Sequence, residues 1–203
     1  MSKLLLVRHG ETELKSSERL WGHTDVKLNA LGLKQAERLR DRLAQEKISA
    51  IYSSELKRAL VTAEIIASRH HLTVVICPEL YEIDFGQLEG LTLEEVGQLY
   101  PEVIRLREER NPKLKYPGGD SVIEFDERVS KFLSRLEQHT DGETILIVAH
   151  SGVLRILLCR LLNMDLGHLW QYLLDLASVS ILETNQKRAT LNLLNDTSHL
   201  AQI

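Results

Sequence analysis

The stretch LLVRHGET, residues 5–12, runs from an apolar strand directly into a cation, an imidazole and a glycine. A second stretch, ILIVAHSGV at residues 145–153, ends its apolar run in the same way and continues into a helical pattern. Runs that are apolar throughout are typical of strands in a sheet covered on both faces, and α/β proteins place catalytic groups where such strands end. The two stretches therefore predict a sheet with a functional site near His9 and His150.

Further apolar runs alternate with helical patterns along the chain. Together with the two stretches above, they predict strands at residues 4–7, 50–52, 74–77, 144–149, 178–182 and 190–194. Helices are predicted to begin after Asn29, at Leu56, after the capping-box residues Thr92 and Ser121, and after His150. On the first helix, the spacing predicts a buried face of Leu33, Ala36, Leu39 and Leu43. The alternation predicts an α/β fold, a three-layer α/β/α sandwich with a mostly parallel central sheet.

The chain is expected to form a single domain over residues 1–203, in which residues 83–117 interrupt the strand rhythm. This segment is mostly polar and helical, and we expect it to form a lid or subdomain over the edge of the sheet where ligands bind. Its basic residues are interpreted as a solvated helix face; they are Arg105, Arg107, Arg110, Lys113 and Lys115.

Composition excludes several classes of function. With 203 residues, 43% of them hydrophobic, the chain can bury one core. Its net charge is -4, and acidic and basic residues are interspersed along the chain, so neither nucleic acid nor a membrane is an expected partner. No apolar stretch is long enough to span a membrane, and no signal peptide is recognisable. Cys77 and Cys159 lack ligand-like spacing and are interpreted as buried free thiols. We therefore expect a cytoplasmic protein.

Two other positions could carry chemistry, although neither is specific alone. Arg58 stands on the first turn of a helix, where an arginine is usually a solvated surface charge. Glu82 lies between Tyr81 and Ile83, a partly apolar setting that favours the protonated form a general acid needs. The helix that follows His150 has unpaired amides in its first turn, which makes its N-terminus a possible anion site.

At these residues the chain resembles the histidine phosphatase superfamily, also called phosphoglycerate mutase-like. Its signature, a strand ending in RHGET, matches residues 8–12 letter for letter. Further motifs follow in the same order as in the family: Arg19 with Gly22, the segment around Arg58, the E-x-x-x-G turn at Glu82, the PGG-[DE]-S segment at residues 117–121, and the H-x-G-V turn at His150. The resemblance extends from residue 4 to about residue 194.

The resemblance implies that His9 is the nucleophile, that Glu82 protonates the leaving oxygen, and that Arg8, Arg58 and His150 clamp the phosphate. A phosphate monoester is close to a dianion at neutral pH, so attack by an imidazole requires nearby positive charge. His150 would add a third cation if it is protonated. The attacking form of His9 must be neutral, and its other ring nitrogen is expected to donate to a backbone carbonyl, that of Gly10 or the adjacent loop. No metal or other cofactor is implied.

Other phosphoryl-transfer chemistries have recognisable motifs, which the sequence lacks. The chain has no C-x₅-R, D-x-D, GxxxxGK[ST] or HExxH motif, which disfavours cysteine and aspartyl phosphatases, kinases and metal-dependent hydrolases. Within the resembled family, a phosphoglycerate mutase would return the phosphoryl group to substrate; mutases usually have a longer segment after the acid residue, so a phosphatase is favoured. A non-catalytic phosphate-binding protein is the remaining alternative.

The expected partner is a small phosphomonoester. Residues 19–25 and 195–200 most resemble the α-ribazole-5′-phosphate phosphatases of cobalamin biosynthesis, while phosphoserine, sugar phosphates and 3-phosphoglycerate stay open. Substrate contacts are expected from Arg8, Thr12, Lys15, Arg19, Trp21, Gly22, Arg58, Glu82 and Ser151. Many relatives have Asn in place of Lys15 and Gln in place of Trp21; Lys15 could substitute electrostatically, and Trp21 could stack on a heteroaromatic base or pack within its own loop.

A homodimer is the expected assembly. Residues 166–176 include Trp170 and Tyr172 and are apolar enough either to pack internally or to form a dimer face.

Overall fold

The computed structural model describes residues 1–14, 19–185 and 188–201 of the chain. The strands are β1 (Ser2–Arg8), β2 (Ile48–Ser53), β3 (Val74–Ile76), β4 (Thr144–Ala149), β5 (Val179–Asn185) and β6 (Arg188–Asp196). They form one sheet in the order β3-β2-β4-β1-β5-β6. The first four are parallel, and β5 and β6 run antiparallel to their neighbours. The predicted mostly parallel sheet is confirmed.

The three helices predicted from side-chain caps, at Asn29, Thr92 and Ser121, begin where predicted, and the helices that begin at Lys57 and Ser151 also lie within one residue of the prediction; the helix at Pro101–Glu108 was not predicted as a separate element. They are α1 (Ala30–Leu43), α2 (Lys57–Ala67), α3 (Leu93–Leu99), α4 (Pro101–Glu108), α5 (Val122–Leu136) and α6 (Ser151–Leu161). Short 3-10 turns occupy Pro78–Leu80, Gly86–Leu88, Leu166–Gln171 and Ser198–Leu200. The Asn29 side chain accepts from the Gly32 amide at 2.8 Å, and both predicted capping boxes, at Thr92 and at Ser121, are formed.

Alternation along β1 divides the core into two layers. Leu4 and Leu6 pack with residues of α5 and α6 on one face of the sheet, whereas Leu5 and Val7 pack with α1 and α2 on the other. Because successive strand residues point to opposite faces, a run that is apolar throughout requires helices on both sides. The three-layer α/β/α sandwich is confirmed.

Two details differ from the predictions. Leu33 is 42% exposed, and the buried face of α1 consists of Gly32, Ala36, Leu39 and Leu43. The backbone of Glu11 approaches α1 so closely that only a glycine fits at position 32, which rotates Leu33 into solvent. The β6 strand is not covered on both faces, because it lies at the edge of the sheet and its residues are alternately exposed.

Residues 83–117 contribute buried apolar side chains to the core, although most of the residues in this segment are polar. Leu88, Val96 and Leu114 are fully buried and join the same core layer as α5 and α6. Residues 166–176 are likewise engaged within the chain, since Leu169 is buried and Trp170 packs against that layer, although Leu173 is 65% exposed. The homodimer stays a prediction.

The cysteine prediction is confirmed. Cys77 and Cys159 are both buried and free, and burial raises the pKa of each thiol to about 11. No helix among the described residues is long and apolar enough to cross a membrane.

Candidate active site

Strand register places His9 beside His150. In the parallel β1–β4 pair, Arg8 lies opposite Ala149, so the residues that follow each strand emerge next to each other. The His9 amide donates to the Ala149 carbonyl at 3.1 Å, and the two imidazole centroids are 5.2 Å apart. Both side chains are buried. The meeting of these two rings at the strand ends was predicted from the sequence.

His9 presents a neutral ring with one free nitrogen. Its Nδ1 lies 2.8 Å from the Gly10 carbonyl oxygen. A carbonyl only accepts, so Nδ1 carries the hydrogen and Nε2 keeps its lone pair. Burial first, then the cationic Arg58 and Arg8, hold the pKa of His9 well below its usual value. The predicted hydrogen bond to Gly10 is confirmed, and the ring is in the form that can act as a nucleophile.

His150 is a hydrogen-bond donor and not a third cation. The Nε of Arg58 donates to His150 Nδ1 at 3.2 Å, which leaves the ring hydrogen on Nε2. Burial, followed by the charge of Arg58, lowers the pKa of His150 well below its usual value. Among the described residues, Nε2 has no partner although it is buried. The third positive charge, expected only if the ring were protonated, is therefore missing because Arg58 occupies Nδ1.

Two arginines complete this group. Arg58 donates to the carbonyls of Thr24 and Gly22 at 2.8 and 2.6 Å, in addition to its bond with His150. Arg8 donates to the Leu174 carbonyl at 2.6 Å, and its buried Nε has no partner among the described residues. Burial lowers the pKa of Arg8 to about 10, so the side chain stays positive at neutral pH.

Glu89 fixes the loop that holds Arg58. Its carboxylate accepts from the amides of Gly22, His23 and Thr24 at 2.9, 3.0 and 3.3 Å, and from the Thr24 hydroxyl at 2.6 Å. The same loop turns two carbonyls toward Arg58. Gly22 allows this approach because a Cβ atom there would lie 1.9 Å from the Ile83 carbonyl oxygen. Sequence reasoning missed Glu89; its place in the same glycine-bounded turn as Glu82 was the available signal.

Glu82 is buried against the N-terminus of α6. Its carboxylate accepts from the amides of Ile83 at 3.0 Å and Gly152 at 3.1 Å. A Cβ atom on Gly152 would lie 2.3 Å from this carboxylate, so the contact requires glycine. The Glu82 carbonyl accepts from Arg128 at 2.9 Å and is 3.0 Å from His23 Nε2. The predicted anion site at this helix N-terminus is thus partly taken by the chain's own carboxylate.

A cavity of about 290 Å³ opens in front of these groups. Of the predicted residues it is lined by Arg8, His9, Thr12, Arg19, Trp21, Arg58, Glu82 and Ser151. We call the set formed by Arg8, His9, Arg58, Glu82 and His150 the strand end of the cavity. In the described ranges 1–14, 19–185 and 188–201, no three His, Cys, Asp or Glu side chains come together as a possible metal site.

Some of the other residues predicted to contact substrate already form hydrogen bonds within the chain. The Thr12 hydroxyl donates to the Leu14 carbonyl, and Arg19 is bonded to the Gly90 carbonyl and the Glu95 carboxylate. His150 and Gly22 do not line the cavity but hold Arg58 from behind. Gly22 therefore supports the site instead of touching a ligand in it. Lys15 lies outside the described residues.

The opposite side of the cavity was largely missed. It carries Arg155 of α6, Arg107 of α4, Tyr116 and Trp170, which we call the helical end. The interpretation of Arg107 as part of a solvated face is wrong, because this side chain is half-buried and lines the cavity together with Arg155. Arg105, two residues earlier, is solvated and paired with Glu102 and Glu109. Arg155 follows Ser151 by four residues on one helix face, a spacing that could have revealed it.

Comparison with known proteins gives consistent matches. The sequence profile of the histidine phosphatase superfamily (branch 1) matches residues 4–197. Phosphoserine phosphatase 1 of Hydrogenobacter thermophilus is 37% identical over 202 residues, covering 100% of this chain and 96% of that protein. Adenosylcobalamin/alpha-ribazole phosphatase of Escherichia coli is 34% identical over 197 residues, or 95% of each protein.

Solved structures match as well. The alpha-ribazole phosphatase from Shigella flexneri has a TM-score of 0.86 at 34% identity and covers 96% of both chains. The curated relatives thus name two different substrates at similar identity.

Proposed function

The chain belongs to the histidine phosphatase superfamily, and we propose that it is a phosphatase that hydrolyses small phosphomonoesters through a phosphohistidine at His9. The observation that carries this proposal is the strand end of the cavity. There a neutral imidazole with a free Nε2 lies beside the buried guanidinium group of Arg58, the half-buried one of Arg8, and the His150 ring, whose N–H has no partner among the described residues. Such a group can accept a phosphoryl group and neutralise its charge at the same time.

In the first half-reaction, His9 Nε2 forms a bond to phosphorus while the bond from phosphorus to the ester oxygen breaks. Arg8 and Arg58 spread the charge of the equatorial oxygens, and His150, which lies beside His9 behind the cavity lining, holds Arg58 in position. Glu82 gives its proton to the departing oxygen, so that an alcohol leaves instead of an alkoxide. General acid catalysis of this kind contributes about 10²- to 10⁴-fold in rate.

In the second half-reaction, water attacks the phosphohistidine. Glu82, now a carboxylate, takes a proton from the water as the new oxygen–phosphorus bond forms and the bond to His9 breaks. Inorganic phosphate leaves, His9 returns to its neutral form, and Glu82 regains the proton that it gave away. The residue used as acid and then as base is thus restored in each cycle.

A labelling experiment tests the intermediate. After brief mixing with a ³²P-labelled aryl phosphate and no added metal, the protein should carry acid-labile, base-stable phosphate, and His9→Ala should carry none. A folded wild-type protein that neither labels nor releases phosphate would support the non-catalytic binding alternative. With ³²P-labelled 3-phosphoglycerate in place of the aryl phosphate, transfer of the label to the 2-hydroxyl group with little release of phosphate would support a mutase.

The identity of the substrate is a narrower proposal. Trp21 supports α-ribazole 5′-phosphate, because its ring lines the cavity and could stack on a heteroaromatic base. The same ring also packs within its loop, where a Cβ atom on Gly90 would come within 3.2 Å of it. The arginines of the helical end support a different class, phosphomonoesters with a second anionic group, such as phosphoserine.

Comparing kcat/KM across a panel of substrates decides between the two classes. If α-ribazole 5′-phosphate is preferred, Trp21→Ala should lower kcat/KM for it more than for phosphoserine. If phosphoserine is preferred and Trp21→Ala affects both substrates alike, the α-ribazole proposal is wrong, while the phosphatase proposal stands.

A further inference from the structure

We propose that Arg107 and Arg155 form a second anion-binding position in the cavity, and that it binds the carboxylate of a carboxylated phosphomonoester whose phosphate lies at His9. This inference deepens the proposed function and rests on it. The sequence interpretation assigned Arg107 to a solvated helix face, and no sequence motif included Arg155.

The balance of charge in the cavity is the first argument. Among the described residues that line it, Arg8, Arg19, Arg58, Arg107 and Arg155 are cationic and Glu82 is the one carboxylate. Arg8 and Arg58 face the place of a phosphate dianion, and Arg19 is paired with Glu95 at 3.0 Å. Arg107 and Arg155 are left without a counter-charge. Both side chains are half-buried, and partial removal of a cation from water without an anion is unfavourable, so their placement favours an anionic ligand.

Arg155 is held with its donors directed at the cavity. Its Nε donates to the Tyr172 carbonyl at 2.9 Å, and its two terminal amino groups bond to none of the described residues. Burial, opposed by the charge of Glu82 and reinforced by that of Arg107, lowers the pKa of Arg155. Arg155 lines the same cavity as Arg8 and Arg107.

Arg107 contrasts with its neighbour on the same helix. Arg105 is ion-paired with Glu102 and Glu109, each at 2.5 Å. Arg107 lines the cavity, and its side chain has no hydrogen bond or ion pair with any described residue. Two arginines of equal charge, two positions apart, therefore differ in that one is neutralised at the surface and the other is left free beside the ligand space. Arg105 supplies a matched control.

A carboxylate on the substrate is the anion that fits this position best. Guanidinium groups bind carboxylates through paired, charge-assisted hydrogen bonds. The two arginines share one cavity of about 290 Å³ with His9, a size suited to a small ligand that spans both ends. Phosphoserine and 3-phosphoglycerate carry a phosphate and a carboxylate on a short carbon chain. The base of α-ribazole 5′-phosphate would place an uncharged ring there.

Phosphoserine and phosphoethanolamine make the sharpest test, because they differ only in the carboxylate. We expect the wild type to prefer phosphoserine, and Arg107→Gln and Arg155→Gln each to lower kcat/KM for it by about 10- to 100-fold, mainly through KM. Activity with phosphoethanolamine and with 4-nitrophenyl phosphate should change by less than about threefold, which also reports that each variant is folded. Arg105→Gln should leave all three activities unchanged.

Equal kcat/KM of the wild type for phosphoserine and phosphoethanolamine would overturn the proposed second anion-binding position. So would Arg107→Gln and Arg155→Gln variants in which kcat/KM falls by the same factor for all three substrates. If no substrate is turned over, the proposed function itself fails. Calorimetry then tests the position independently of turnover: phosphoserine should bind to His9→Ala more tightly than phosphoethanolamine, and adding Arg155→Gln should abolish the difference. Equal binding of the two compounds to His9→Ala would refute the inference.

Discussion

The two ends of the cavity differ in how firmly their charged groups are held by the protein itself. At the strand end, Arg58 makes three hydrogen bonds, Glu82 accepts two from backbone amides, and His9 is bonded to Gly10. At the helical end, Arg155 makes one such bond and Arg107 makes none with the described residues. The difference indicates a division of labour between a rigid reacting centre and a recognition surface that is completed by the ligand.

This division has a physical basis. Electrostatic stabilisation of a transition state is effective when donors and charges already point at the place where charge will develop, so that no reorganisation is required. Backbone groups at strand ends and helix starts supply that rigidity at the strand end. Binding of a remote substrate group needs only complementary charge, and side chains on α4 and α6 suffice for it. Substitutions at the two ends should therefore fail in different ways.

The largest effect is expected for His9→Ala. Because His9 would form the covalent bond, its removal should lower kcat for 4-nitrophenyl phosphate by about 10⁴-fold or more. His168→Ala, which removes an exposed ring bonded only to the Asp165 carbonyl, should retain full activity. An H9A protein that keeps more than about a hundredth of the wild-type kcat would place the reacting group outside the strand end.

Glu82→Gln should follow, with a loss of about 10²- to 10⁴-fold in kcat for phosphoserine. The amide keeps the shape of the side chain but cannot donate and retrieve a proton as the carboxyl group does. The loss should be smaller for 4-nitrophenyl phosphate in single-turnover experiments, since nitrophenolate departs readily without protonation. Glu79→Gln serves as the control. This carboxylate does not line the cavity and is paired with Arg135 at a distance of 3.0 Å. Equal losses for both leaving groups would argue against proton donation by Glu82.

Glu89→Gln is predicted to be milder, with a loss of about 10- to 100-fold in kcat. Glu89 touches no reacting atom; it positions the loop whose carbonyls bind Arg58. The amide group of Gln would present donors to backbone amides that need an acceptor, and Arg58 would lose its fixed direction. The loss should be the same for phosphoserine and phosphoethanolamine, unlike that of Arg155→Gln. Glu127→Gln, at an exposed position, should have no effect.

Much of the strand end could be predicted from the sequence because its signals are local. An apolar run followed at once by a cation and an imidazole marks a strand end, and two such runs meet when their strands pair in parallel register. The helix starts at Asn29, Thr92 and Ser121 were recognisable for the same reason, since each cap lies within three residues of the amide that it binds.

The helical end could not be predicted in this way. Arg105 and Arg107 have the same charge and nearly the same neighbours in sequence, and only the tertiary placement of α4 decides that Arg107 and not Arg105 lines the cavity. Glu89 likewise acts through amides more than sixty positions earlier in the chain. Gly32, and not Leu33, lies on the buried face of α1 because the backbone of Glu11 passes close to it. In each case the deciding contact lies far away in sequence.

The smallest expected effect is on the pH dependence of the free energy of unfolding, which should change for variants at the strand end of the cavity and not for those at the helical end. His9 and His150 are buried as neutral rings with pKa values below the usual one, so below about pH 6.5 the unfolded chain binds protons that the folded chain does not. Each ring should therefore make the folded state less stable as the pH falls, by up to about 1.4 kcal/mol per pH unit, with no such cost above that range. Urea unfolding between about pH 7.5 and pH 5.5 measures this slope. His9→Gln and His150→Gln should each reduce it, whereas Arg155→Gln should not. An unchanged slope in both histidine variants would mean that the folded rings take up protons over the same pH range as the unfolded chain, so that the site does not hold His9 in its neutral form.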